Sequence, residues 1–173
     1  LFDEDLAAMD DFILLLNHLK ADAVIISDIG VAKKFRSISK IPIHLSTQAS
    51  CLNTYAAMFW KSMGIERVVL GREVSLEEAS EIRKSAALEI EVFIQGSMCM
   101  AYSGHCVISN YTSGRDSNRG GCAHSCRFEY EMNFLQYHKK VKAFFMSSKD
   151  LNALAVFPLL VAKGIDSLKI EGR

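Results

Sequence analysis

Four of the chain's five cysteines, Cys99, Cys106, Cys122 and Cys126, fall in one segment, within 96-GSMCMAYSGHC-106 and 121-GCAHSC-126. Thiols so grouped have four chemistries open to them. Disulfides suit small secreted domains that lack a core, whereas this chain is half apolar over 173 residues and builds its own. A buried structural thiol fits Cys51, alone beside a strand exit, but not four thiols in a glycine-rich polar stretch. A catalytic thiol needs a positioned base. His105 and His124 adjoin cysteines in sequence, but neighbours on a loop seldom face each other. Metal ligation remains. Four thiolates close a tetrahedral zinc site or hold an iron–sulfur cluster. The short CxxC pairs of zinc ribbons are absent, and wider, uneven spacing suits a cuboidal cluster with one thiolate per corner iron. Spacing alone leaves both open. The CxxxCxxC pattern of radical-SAM enzymes is absent, as are HExxH and GxSxG.

The other reactive side chains fall where apolar runs end. His44 and Glu171 are the candidates for proton transfer. Arg72 and Arg173 are placed to clamp a carboxylate. Gln48, Glu73 and Gln95 complete the candidate substrate-binding set. Each has a bland counterpart: a strand histidine is often a satisfied interior residue, and Arg72–Glu73 or Glu171–Arg173 also make ordinary ion pairs.

Alternating strands and helices must position these residues. A helix is expected over 3–20, with acids in its first turn offsetting the helix dipole. Strands are expected at 23–27, 41–46, 67–71, 90–95, 143–148 and 167–172. Intervening helices are expected at 30–38, 53–64, 75–86 and 150–164. Asn53 reads as a cap, Gly64 as a stop, and Ser75 with Glu78 as a capping box. Residues 96–128 break the rhythm and read as a long functional insertion. Near-continuous apolar strands alternating with helices predict a parallel α/β sheet. Polar strand exits favour a TIM-barrel-type arrangement, whose chemistry sits on the C-terminal rim. Six strands are too few for eight, so one partial barrel domain over 1–173 is expected. Leu1 and Arg173 read as cut ends of a longer protein.

Lys and Arg equal Asp and Glu at 20 each, so no global charge recruits nucleic acid or membrane. Any RNA contact must use a local patch, such as Arg115, Arg119, Arg127 and 138-HKKVK-142. No apolar run approaches the length of a membrane span. Neither a membrane partner nor secretion is indicated, and a cytoplasmic location is expected. Sheet edges left open by a partial barrel invite homo-oligomer formation.

The stretch 91-EVFIQGSMCMAYSGHCVIS-109 resembles the signature of the U32 peptidase family, the collagenase-like proteases. Glu91, Phe93, Gly96, Ser97, Met98, Cys99, Gly104, Cys106, Ile108 and Ser109 match its pattern. Further likeness runs through 43-IHLSTQAS-50, 67-RVVLGRE-73, 115-RDSNRGGCAHSCR-127, 147-SSKDL-151 and 168-LKIEGR-173. The resemblance implies a TIM-barrel-type fold. It implies an RNA hydroxylase, foremost of a tRNA wobble uridine with prephenate as hydroxyl source, or of an rRNA cytidine, with a ubiquinone-hydroxylation branch beside these. It also implies a 4Fe-4S cluster on Cys99, Cys106, Cys122 and Cys126. Prephenate is a dicarboxylate, which two rim arginines suit. Proteolysis, as the family label has it, and a zinc-clipped binding module are the alternatives.

Overall fold

In the computed structural model of the chain, residues 1–172 are described. In chain order the elements are α1 (Asp3–Leu6), α2 (Met9–His18), β1 (Val24–Ile26), α3 (Ile29–Ile38), β2 (Ile43–Leu45), α4 (Thr54–Ser62), β3 (Arg67–Val69), α5 (Leu76–Ala86), β4 (Glu89–Gly96), α6 (Ile108–Ser113), β5 (Tyr130–Phe134), β6 (Lys139–Ala143), β7 (Leu151–Asn152), α7 (Phe157–Ala162) and β8 (Ser167–Glu171). Five strands run parallel in the order β1-β2-β3-β4-β8, and β7 adds antiparallel to the exit end of β4. The sheet is open: among the described residues, β1 and β8 do not pair with each other.

Local chemistry sets the helix starts. The Asp28 carboxylate accepts from Val31 N–H at 2.9 Å, and Asn53 accepts from Ala56 N–H at 2.9 Å. Ser75 and Glu78 form the reciprocal capping box, which satisfies two otherwise orphaned N–H groups. Gly64, at φ +82°, ends α4.

The core lies between the sheet and its helices. Ile43, Leu45, Val68, Leu70 and Ile90 are buried against Ile13, Phe35, Ala57, Ala79 and Ile82. Each such Ile or Leu side chain contributes about 1.5–3 kcal/mol on burial. Cys51 belongs to this core, and burial pushes its thiol up to about 11.

Strand alternation turns His44, Arg67, Glu91 and Lys169 to the other face. There Arg67 pairs with Glu89 at 2.7 Å and with Glu91 at 3.5 Å, and Lys169 reaches Glu91 at 3.1 Å. Ser167 also donates to Glu91, at 2.9 Å.

Three expectations are corrected. The helix over 3–20 is broken at Ala7–Ala8, where Asp10 and Asp11 furnish the acidic first turn of a second helix. Residues 143–148 are not a strand of the sheet. Lys139–Ala143 instead pairs antiparallel with Tyr130–Phe134, and the aromatic run Phe144–Phe145 is exposed. A parallel central strand must be covered on both faces, and a hairpin closes a far shorter loop than a crossover. The long helix over 150–164 shrinks to β7, a 3-10 turn at Leu154–Val156 and α7, with Pro158 near the start of α7.

Candidate functional site: a four-cysteine pocket at the strand exits

The segment after β4 folds back over the exits of β2 and β3. At Gly96, φ is +105° and a Cβ would lie 2.0 Å from the Glu171 carbonyl oxygen. At Gly104, φ is +79° and a Cβ would lie 2.1 Å from the Gln48 carbonyl oxygen. Only glycine allows both close approaches. A register shift between Phe93 and Gln95, where β4 pairs with β8, re-aims the strand just before the turn.

Polar anchors fix the loop. Glu73 accepts from Ser103 N–H at 2.8 Å and from Ser103 Oγ at 2.9 Å. Ser50 Oγ donates to the Ser103 carbonyl, and Gln48 Nε2 donates to the Ser117 carbonyl at 3.2 Å. Ser117 Oγ and Asn118 Nδ2 both donate to the Cys106 carbonyl, at 2.8 and 3.0 Å. Ser109 Oγ accepts from Ala123 N–H at 3.1 Å, and Thr112 Oγ1 donates to Ser125 Oγ at 2.6 Å. Ser103, Ser109, Ser117 and Ser125 are buried. In a loop without a ladder, such hydroxyls satisfy backbone groups that burial would otherwise orphan. Of these serines only Ser109 is singled out in the sequence, and as part of a motif rather than as an anchor, although all four interleave with the cysteines.

All four clustered cysteines line one cavity of about 270 Å3, with Gln48, Arg72, His124 and Glu171 among its other walls. All five thiols of the chain are free. Among the described residues, no three His, Cys, Asp or Glu side chains close on one point as a single bound ion requires.

Arg72 forms one wall. Its guanidinium stacks 3.7 Å from the Phe93 ring centroid, pairs with Glu171 at 3.2 Å and stands 4.0 Å from Cys99 Sγ. Its Nε is buried without a hydrogen-bond partner. Although Cys99 is exposed as a residue, its thiol is partly enclosed. Burial pushes that thiol up, while the Arg72 charge opposes the rise and the other three thiols add to it.

Of the residues singled out from sequence, the four cysteines, Gln48, Arg72 and Glu171 meet at this cavity. Glu73 stands behind it as a loop anchor. Gln95 is exposed on β4, between its pairings to β7 and β8. His44 lies on β2 away from the cavity; burial lowers its imidazole pKa, with Arg67 adding to the effect. Arg173 lies outside the described residues.

The neutral total hides a segregation of charge. Residues 97–149 hold seven Lys or Arg against three Asp or Glu, a net +4, and the remainder holds 13 against 17. A count by segment reveals this, whereas a count over the chain does not.

A parallel α/β sheet carrying a thiol-lined cavity at its strand exits defines the class. The particular family follows from comparison: the profile described as Peptidase family U32 matches residues 1–173, and the chain belongs to that family. It is 41% identical over 179 residues to the tRNA hydroxylation protein P1 of Bacillus subtilis, covering 99% of this chain and 42% of that protein. It is 34% identical over 178 residues to the 23S rRNA 5-hydroxycytidine C2501 synthase of Escherichia coli, covering 100% of this chain and 26% of that protein. It is 30% identical over 187 residues to a collagenase of Porphyromonas gingivalis, covering 100% of this chain and 45% of that protein. The chain thus spans less than half the length of these relatives. No solved structure matches it. Among the described residues, no helix is long and apolar enough to cross a membrane.

Proposed function

We propose that this chain carries the cluster-binding part of an RNA hydroxylase, acting foremost on a tRNA wobble uridine with prephenate as hydroxyl source. The observation that carries the reading is the convergence of four free thiols from separate loop segments on one cavity, in a family whose relatives include a tRNA hydroxylation protein and an rRNA hydroxycytidine synthase.

The donor set fits a 4Fe-4S cluster held by Cys99, Cys106, Cys122 and Cys126. The fifth thiol, Cys51, is sealed in the core. A zinc ion draws four sulfurs to within about 2.3 Å of one point. A cuboidal cluster takes one thiolate at each of four corners, and the cavity has four cysteines along its walls. The orphaned Arg72 Nε supplies a buried donor beside a site for anionic sulfur. When bound, the cluster supplies one-electron redox chemistry.

The chain's own residues bind and orient. Arg72, held flat on Phe93, presents its guanidinium toward the cavity and receives a prephenate carboxylate in exchange for Glu171. Glu171, released from that pair, is placed to take or give a proton at the cavity edge. Gln48 offers an amide on the opposite wall. The open sheet represents part of a TIM-barrel-type domain, and its cysteine pocket occupies the C-terminal rim where such domains hold their sites. A cytoplasmic protein is the matching setting.

Deletion of the gene, complemented by native or cysteine-substituted versions, followed by mass spectrometry of tRNA and rRNA nucleosides, tests this reading. Loss of one hydroxylated nucleoside, restored by the native gene and not by Cys99→Ala, is expected. An unchanged nucleoside profile refutes it. Iron and acid-labile sulfide in anaerobically purified protein test the cluster, and stoichiometric zinc in their place refutes that part alone.

A further inference from the structure

The β5–β6 hairpin stands out from the polar loops that build the pocket. Its register pairs Tyr130 with Ala143, Met132 with Val141 and Phe134 with Lys139, all on one face, and Glu131 with Lys142 and Asn133 with Lys140 on the other. Apart from Lys139, the first face is aromatic and apolar, yet Met132 and Phe134 are exposed. At the tip, Leu135 is 77% and Tyr137 72% exposed, followed by His138 and Lys139. Of the hairpin's three lysines, Lys140 alone meets a carboxylate, Glu131 at 2.9 Å, among the described residues.

The hairpin is rooted at the cavity. Tyr130 Oη donates to the Ser125 carbonyl at 2.7 Å, one residue before Cys126. Arg127, which lines the cavity, is held by the Ser148 carbonyl at 2.7 Å and by Asp150 at 2.9 Å. From Tyr130 to Phe134 the aromatic face extends about 14 Å outward from this root at the antiparallel rise. A strand face of that length accommodates roughly two or three stacked bases.

We propose that the β5–β6 hairpin docks a single-stranded loop of the RNA substrate and leads one nucleotide toward the cysteine-lined cavity. This rests on the hydroxylase reading above. Exposed rings offer unpaired bases a stacking surface that a duplex cannot use. Lys139 and Lys142 reach flanking phosphates, and the net +4 of residues 97–149 attracts the backbone as a whole. An apolar polypeptide partner would account for the rings but not for the lysines left without carboxylates.

The test uses full-length protein purified anaerobically, an anticodon stem-loop RNA and a fully paired duplex of equal length, with binding measured across a salt series. Phe134→Ala with Tyr137→Ala is expected to weaken stem-loop binding about tenfold or more and to leave duplex binding nearly unchanged. Lys139→Gln with Lys142→Gln is expected to lower the slope of log affinity against log salt by about 1.4, the value for two single-strand phosphate contacts. Thermal melting of each variant guards against misfolding, and the surface lysine pair keeps the test decisive if the aromatic variant unfolds. Native stem-loop affinity and salt slope in both folded variants overturn the proposal. So does lower melting of the aromatic variant with RNA binding intact, which means that a polypeptide packs on this face. Failure of the hydroxylase reading is distinct: an unchanged nucleoside profile in the gene deletion, whatever the hairpin variants bind.

Discussion

Gly104→Ala isolates the loop that brings Cys99 and Cys106 together. The new Cβ lies 2.1 Å from the Gln48 carbonyl oxygen, a backbone atom that cannot swing aside, and 3.0 Å from Ser50 Oγ. The residue must also keep φ near +79°, at a cost of roughly 1–2 kcal/mol for an L-residue. If the loop lifts to relieve the clash, it loses the two Ser103–Glu73 hydrogen bonds and the Ser50–Ser103 bond. Bonds to a carboxylate are worth about 1.5–3 kcal/mol each and a neutral one about 1. These bonds hold the native loop shut by at least about 4 kcal/mol; the variant, which the clash keeps from the closed position, forfeits that hold, a shift of roughly a thousandfold in the opening equilibrium. None of the strand ladders is touched, so the opening is local. The expected result is faster reaction of the clustered thiols with a thiol reagent in metal-free protein, a large loss of bound iron after anaerobic reconstitution, and nearly native far-UV circular dichroism. Native thiol protection together with native iron content would show that the loop is not held at Gly104, and the account of the pocket would fail. Thiol protection decides the matter even if the cluster assignment is wrong.

Glu91→Gln removes the carboxylate on which Arg67, Ser167 and Lys169 converge, and is expected to cost about 2 kcal/mol, below the 3–5 of a fully buried pair because both cations keep some solvent; at this size that is a fall of roughly 4–8 °C in melting temperature. Burial pushes the Glu91 carboxyl up, but bonds from Ser167 and Lys169 and the charges of Lys169 and Arg67 outweigh it and hold it below the ordinary 4.5; its stabilisation is therefore full above that value and lost as pH falls through the lowered one, so the gap between native protein and variant should close in acid, and a pH-independent gap counts against the assignment. Arg72→Lys should destabilise nearly as much as Arg72→Ala, about 1–2 kcal/mol by denaturant unfolding, because an ammonium neither stacks flat on Phe93 nor keeps the fork toward Glu171; full rescue by lysine would show that only charge matters. Cys51→Ala should retain native iron at a cost of about 1 kcal/mol in stability, whereas Cys99→Ala, Cys106→Ala, Cys122→Ala and Cys126→Ala should each lose it; iron loss in Cys51→Ala would overturn the ligand set.

The sequence made the parallel strands and their caps legible because those signals are local. Asn53, Gly64 and the Ser75–Glu78 box sit where their backbone chemistry requires. Cys51 read as core because a lone apolar-flanked thiol is usually buried. The run 143–148 misled because a short apolar segment with no period fits several partners, and here its lead-in residues found a closer one across a hairpin turn. The break in 3–20 was masked by a continuous apolar pattern, while Asp10 and Asp11 marked a second start. The serine anchors left no periodic trace, because loop hydroxyls are selected by individual carbonyls rather than by a face. Charge segregation vanished in a sum that cancels across the chain.

Two polar regions now compete for the role of reactive site, and their hydrogen-bond balance separates them. On the sheet face opposite the helices, Arg67 and Lys169 meet Glu89 and Glu91, so two cations answer two carboxylates. Ser167 completes the Glu91 shell. Such a network is neutral and satisfied, and a ligand entering it must break bonds that it cannot replace. The strand exits are the reverse. There Arg72 keeps a buried nitrogen without a partner, four thiols share a cavity with no bond among them, and the adjoining segment carries excess positive charge. Unmet bonding capacity of that kind is costly to hold in a folded protein unless something binds to relieve it. The balance therefore favours a structural role for the Glu91 network, where the Glu91→Gln variant reads it as stability, and supports the proposed site at the exits, where Gly104→Ala reads it as loss of thiol protection.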